Sequence, residues 1–266
     1  PGGAAVPDGR VFVIGDDVYS TNPGRKVAEI YNPATDTWTR FGIPEYSNGA
    51  TYDRPVVVAL PPPGNRVAVT SSIGVVVCDL DNGTSRNIGG AAGGQGVALA
   101  LLPNGNLLAT SGAGYAVLNP NLTGPTGNLV TAGRLQTPRY FAGAVAGPDG
   151  RVYIAGGIKT NQITMNQQPV RGVEVFDTDS ARLLRRPPAG LDRTAGYAAR
   201  GFFYGADRLL FATDDGGAGF YDLQKQAAIE GTPFPALTSE QASPTQLADG
   251  RLLFEGSITD LTKYTR

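Results

Sequence analysis

The sequence predicts an all-β chain, a six-bladed β-propeller of four-stranded antiparallel blades, with the last blade incomplete or closed by a terminal strand. Three observations predict it. Short apolar runs alternate with turns, drawing on 37 glycines and 20 prolines, and no stretch holds a helical period. One phrase recurs six times along the chain. Counted from the residue that ends each turn (Arg10, Arg66, Asn106, Arg151, Arg208, Arg251), the copies are spaced by 56, 40, 45, 57 and 43 residues, the span of a propeller blade.

The copies read PDGRVFVIGDD from Pro7, PPGNRVAVTSS from Pro62, PNGNLLATSG from Pro103, PDGRVYIAGG from Pro148, GADRLLFATDD from Gly205 and ADGRLLFEGS from Ala248. Asp-Gly or Asn-Gly between apolar runs supplies the positive φ that a tight hairpin needs, with Pro leading in, so the flanking runs are adjacent antiparallel strands. In the first copy residues 1–6 form the strand before the turn and VAEIY from Val27 is the third strand. The fourth copy repeats the order, with FAGAVAG before its turn, VEVFD from Val173 as third strand and LLRRPP from Leu183 as fourth. After the sixth copy only ITDLTKYTR remains, enough for a third strand but not a fourth. The blades are placed at about 1–46, 47–90, 91–136, 137–190, 191–238 and 239–266 of a single domain.

Composition narrows the function. The 266 residues are 41% hydrophobic, enough for a sizeable core. With 22 basic and 23 acidic residues, scattered along the chain, there is no electrostatic footprint for nucleic acid. The apolar runs, such as GVALALL from Gly96, are too short to insert across a bilayer. There is no histidine, which excludes every mechanism that needs imidazole as base or ligand. The one cysteine, Cys78, lies in the apolar run VVVC and reads as a buried small hydrophobe. The chain opens on Pro1 rather than Met, as a processed precursor or a part of a larger chain would.

IAGG from Ile154 followed by VEVFDTDSARLL, and VAEIYNPATDTW from Val27 to Trp38, resemble kelch repeats: a diglycine ending the second strand, then an aromatic, then a Trp past a turn. The other copies carry SS, SG, DD and GS in place of the diglycine. The resemblance implies a kelch-type propeller, a family of binding platforms with some carbohydrate-active enzymes among them. Blades one and four also resemble the propeller of galactose oxidase and its relatives. That family's copper is held largely by histidine, so its copper-radical oxidation does not carry over to a chain without one.

In such an architecture the loops after the second strands and between blades gather on one face, which is where ligands are expected. The longest are DDVYSTNPGRK from Asp16 and IKTNQITMNQQPV from Ile158; Asn161, Gln162 and Asn166 of the second suit hydrogen bonding to a sugar or a peptide backbone. The inter-blade segments add Tyr52 and Arg54, Arg139 and Tyr140, and Arg193 and Tyr197, residue types that serve either a binding site or inter-blade packing. Asp16, Asp17, Asp214, Asp215 and Glu255 end second strands at similar levels, where carboxylates could hold Ca²⁺ or simply begin turns. The sequons at Asn82 (NGT) and Asn121 (NLT) matter in a glycosylating host. The expectation is a recognition module, extracellular, periplasmic or at the cell surface, that binds a protein or glycan through the long-loop face. The alternative is a carbohydrate-active enzyme, an isomerase or hydrolase, using carboxylate, Tyr or Arg groups.

Overall fold

The computed structural model describes residues 2–16, 26–43, 55–72, 74–89, 96–122, 128–160, 166–170, 172–184, 200–204, 208–212, 218–225, 227–229, 245–246, 252–254 and 257–259. All regular structure among them is β-strand. Four strands, β1 (Gly2–Ala5), β2 (Val11–Asp16), β3 (Lys26–Asn32) and β4 (Thr37–Phe41), form the first sheet in that order, each antiparallel to the next. The second sheet repeats it with β5 (Val57–Ala59), β6 (Arg66–Ser71), β7 (Gly74–Asp79) and β8 (Thr84–Gly89). The third holds β9 (Ala98–Leu101), β10 (Leu107–Leu118) and β11 (Leu129–Arg139), ordered β11-β10-β9.

The fourth sheet is built from β12 (Gly143–Ala146), β13 (Arg151–Ala155), β16 (Val173–Asp177) and β17 (Arg182–Leu183). Between β13 and β16 the chain makes a separate hairpin, β14 (Ile158–Thr160) with β15 (Gln167–Pro169). The fifth sheet is β18 (Arg200–Tyr204), β19 (Arg208–Ala212), β20 (Ala218–Asp222) and β21 (Ala227–Ile229); the last is β22 (Thr245–Gln246), β23 (Leu252–Phe254) and β24 (Ser257–Thr259). The third sheet runs past the blade boundary expected at 136, since β11 extends to Arg139. The third sheet counts one strand fewer than expected because β10 covers the stretch that the second sheet divides between β6 and β7, and Gly112 in its interior takes φ 56°.

The turns refine the expectation for Asp-Gly. Val6 N donates to Arg10 O and Gly9 N to Val6 O, both at 2.9 Å; Leu102, Gly105 and Asn106 repeat the pair, as do Gly147, Gly150 and Arg151. Only the glycine has positive φ, at 89°, 81° and 73° for Gly9, Gly105 and Gly150. This is a type I turn with Pro at its second position, followed by a left-handed residue, rather than a two-residue turn with two positive φ angles. Asp8, Asn104 and Asp149 then each accept the amide two residues on. Arg10 fastens the first of these turns to the second sheet, with Nε 2.6 Å from Asp8 Oδ2, one guanidinium nitrogen donating to Leu80 O at 2.9 Å and the other 2.5 Å from Asp81 Oδ1.

The chain divides into two compact units, Pro1–Ser111 with Tyr115–Ala132, and Gly112–Gly114 with Gly133–Arg266. In the first, strand alternation sends successive residues to opposite faces. Val67, Val69, Val76 and Cys78 of the second sheet pack on Phe12, Ile14, Ala28, Ile30 and Phe41 of the first, while Ala68, Val75 and Val77 pack on Leu99, Leu107, Ala109 and Leu118 of the third. Each fully buried Val, Leu, Ile or Phe contributes about 1.5–3 kcal/mol. In the second unit Tyr153, Ala155, Val173 and Val175 of the fourth sheet pack with Leu209 of the fifth.

Candidate functional site

In the fourth sheet both ends of the long loop between β13 and β16 lie among the described residues. The second strand of that sheet, β13, is followed by Gly156 and Gly157, with φ 61° and 84°. Gly157 also passes so close to the preceding segment that an added Cβ would stand 2.5 Å from Tyr140 O, so glycine at 157 is a steric requirement of this exit. The chain then leaves the sheet as β14, whose Ile158 exchanges both backbone hydrogen bonds with Tyr140 at 2.8 Å and pairs on its other side with Pro169. Val170 N returns to Gly157 O at 2.8 Å and closes the hairpin's base.

Arg139 clamps that base from beneath. One guanidinium nitrogen donates to both Gly156 O and Gly172 O at 3.2 Å, the carbonyls that flank the loop on its way out and back. The other donates to Glu174 Oε1 at 3.0 Å, and Nε donates to Thr137 O at 3.4 Å. Glu174 in turn accepts Gln136 N at 2.7 Å and Thr137 N at 3.0 Å. The pair is buried, with side-chain exposures of 2% and 6%. Burial lowers the Arg139 pKa and Glu174 opposes that shift. Every charge here is paired and every described donor of the guanidinium group is directed at the protein itself, so Arg139 takes the salt-bridge role, one of the two that its residue type allows.

What the clamp presents is polar. Lys159, Asn166, Gln167, Gln168 and Pro169 are exposed, while Ile158 and Val170 are buried at the base. Lys159 pairs in register with Gln168 and therefore shares a face with it. Amides that both donate and accept, beside one cation, suit hydrogen bonding to peptide groups or hydroxyls. Tyr140 is half-buried; its ring lies against the backbone of Gly112, where an added Cβ would be 3.0 Å from the phenolic oxygen.

The remaining sequence-derived candidates are less placed. Asp16 ends β2 with its backbone in register with Lys26. Asp17, Tyr52, Arg54, Asn161, Gln162, Arg193, Tyr197, Asp214, Asp215 and Glu255 lie outside the described residues. Among the described residues no group of three or more Cys, Asp or Glu side chains is placed to hold a metal ion. Cys78 is buried and its thiol is pushed up to about 12 by desolvation, which makes it a poor nucleophile and a poor ligand at neutral pH.

Glu174 is the residue that sequence reasoning passed over. Its signal was a lone carboxylate inside the apolar run VEVF, and its partner stands 35 positions earlier. A second overlooked signal is an Asn or Asp at the end of the third-strand stretch in the first five repeats. Asn32, Asp79, Asn119, Asp177 and Asp222 accept the amides of Ala34, Asp81, Asn121, Ser180 and Gln224, and so cap the turns into the strands that follow. Hydrogen bonds from Ser180 hold Asp177 below the usual carboxylate range, and those from the Lys225 and Gln224 amides do the same for Asp222.

No protein-family model matches the chain, and no curated protein is similar to it in sequence. Solved structures are similar in fold. A propeller-type chain in the crystal structure of a mitotic checkpoint complex superposes with a TM-score of 0.58 over 92% of this chain and 72% of that one, at 14% identity. A fungal alcohol oxidase of the AA5 family, in complex with copper, gives 0.41 over 87% of this chain and 40% of that one, also at 14% identity, a likeness too slight to argue from. The fold is thus all-β and β-propeller-like.

Proposed function

We propose that this chain is a six-bladed, kelch-like propeller that acts as an exported recognition module, and that it binds its ligand through the β14–β15 loop of the fourth sheet. The observation that carries this reading is the Arg139 clamp. A buried ion pair and two carbonyl contacts fix both ends of a loop whose described residues include the exposed amides of Asn166, Gln167 and Gln168, and pre-positioned polar groups lose less entropy on binding than free ones. The ligand class that fits is an extended polypeptide backbone or a glycan, both rich in uncharged donors and acceptors. A protein partner is favoured by the fold neighbour, which comes from a multi-protein complex.

The test is a binding screen of the full chain against a glycan array and a displayed peptide library, followed by the triple substitution K159A/Q167A/Q168A. The expected result is a ligand retained by the parent chain and lost, by at least tenfold in Kd, in the triple variant. A ligand bound equally by both, or none in either library, refutes the assignment of this face.

A further inference from the structure

Asn82, Gly83 and Thr84 form the turn between β7 and β8, and all three are exposed. Thr84 Oγ1 donates to Asn82 Oδ1 at 2.5 Å and Thr84 N donates to the same oxygen at 3.0 Å. The side-chain amide is thereby fixed through its carbonyl, and Nδ2 is left without an acceptor among the described residues. Two residues further on, Arg86 donates to Leu122 O at 2.9 Å and to Pro120 O, which ties this turn to the corresponding turn of the third sheet. Around that second turn stand Leu122, Leu129 and Val130, 46%, 54% and 52% exposed, three of the four large hydrophobic side chains that are exposed among the described residues. An apolar rim left open on a folded protein invites a cover or an interface.

We propose that Asn82 is a site of N-linked glycosylation and that its glycan covers the rim formed by Leu122, Leu129 and Val130. The residues 82–84 spell the acceptor pattern Asn-x-Thr with Gly in the middle position. The co-reactant is a polyprenyl-diphosphate-linked oligosaccharide, with a transferase of the host. Asn82 Nδ2 attacks the anomeric carbon of the first sugar, the C–N bond forms as the C–O bond to the diphosphate breaks, the Nδ2 proton passes to the transferase, and polyprenyl diphosphate leaves. The Thr84 hydroxyl, already on Oδ1, holds the amide for that attack. The apolar C–H faces of the attached pyranoses then remove the three side chains from water. The site lies at the short-turn end of its sheet, the end fastened by Arg10 and Asp81, so a glycan there leaves the long-loop ends of the strands open.

The inference rests on the export proposed above, and its test supplies the secretory route, so that a failure bears on Asn82 and not on the compartment. The full chain is secreted from a eukaryotic host and its peptides are mapped by mass spectrometry. A hexosamine-containing mass increment is expected on the Asn82 peptide, retained in T84S and lost in both N82Q and T84A, with thermal melts showing the variants folded. Enzymatic release of the glycan from the folded protein is expected to raise the fluorescence of a hydrophobic dye. An unmodified Asn82 in the secreted parent chain, or modification confined to Asn121, overturns the site. Unchanged dye binding after release overturns the covering role.

Discussion

Replacing Arg139 by Met removes the guanidinium group and keeps much of the side-chain volume. What remains is the Glu174 carboxylate, buried with two backbone amides as its only described partners, and two carbonyls, Gly156 O and Gly172 O, stripped of their donor. Breaking one side of a buried pair costs about 3–5 kcal/mol, because an uncompensated charge stays behind. That is a large share of the roughly 5–15 kcal/mol that holds a typical fold. At about 2–4 °C per kcal/mol for a chain of this size, the thermal midpoint falls by about 6–20 °C. Urea titration measures the loss, and amide exchange at Tyr140 and Ile158 shows whether the loop base opens with it. The double variant R139M/E174L is informative because apolar replacement of a buried pair often restores stability. Here it leaves the amides of Gln136 and Thr137 without their described acceptor, so no rescue is expected. A single-variant cost below about 1 kcal/mol, or a double variant as stable as the parent, refutes the clamp.

Three further outcomes are expected. Thr70 Oγ1 accepts Val56 N at 2.9 Å, whereas the Thr110 hydroxyl at the equivalent place in the next sheet is buried with no partner among the described residues, so T70V should lose about 1–3 kcal/mol in chemical denaturation while T110V is neutral or stabilising. Ala181 sits at φ 53°, where a Cβ is strained by about 1–2 kcal/mol, so A181G should raise the urea midpoint, and a lowered midpoint would show the strain to be relieved elsewhere. The Cys78 thiol has its folded pKa raised to about 12, so its contribution is fully present below the ordinary thiol pKa and is lost as pH rises through about 12; a pH titration of stability should show that alkaline loss absent from C78A, and thiol reagents at neutral pH should label only the unfolded chain.

Much of the fold was legible because its signals are local. The Pro-Asp-Gly and Pro-Asn-Gly turns at Gly9, Gly105 and Gly150 each announce a hairpin within a few residues, and the strands VAEIY and VEVFD stand where the repeat put them, as β3 and β16. Even so, the turn type depended on backbone angles that dipeptide statistics do not fix, and β10 runs through a position where a strand break was expected. The site was legible only in part. Arg139 stood out as a charged residue at a strand entrance, but its role depends on Glu174 and on two glycine carbonyls, none of them its neighbours in sequence.

By itself the sequence determined an all-β chain of repeated hairpins without imidazole chemistry, since strand period, turn residues and the absence of histidine are properties of short stretches and of composition. The tertiary structure alone decided which polar side chains face inward and which remain for a ligand. Burial turns the Arg139 guanidinium group from a recognition group into a clamp because a charge removed from water must find its partners within the fold, and which partners lie within hydrogen-bond reach is set by sheet register over dozens of residues.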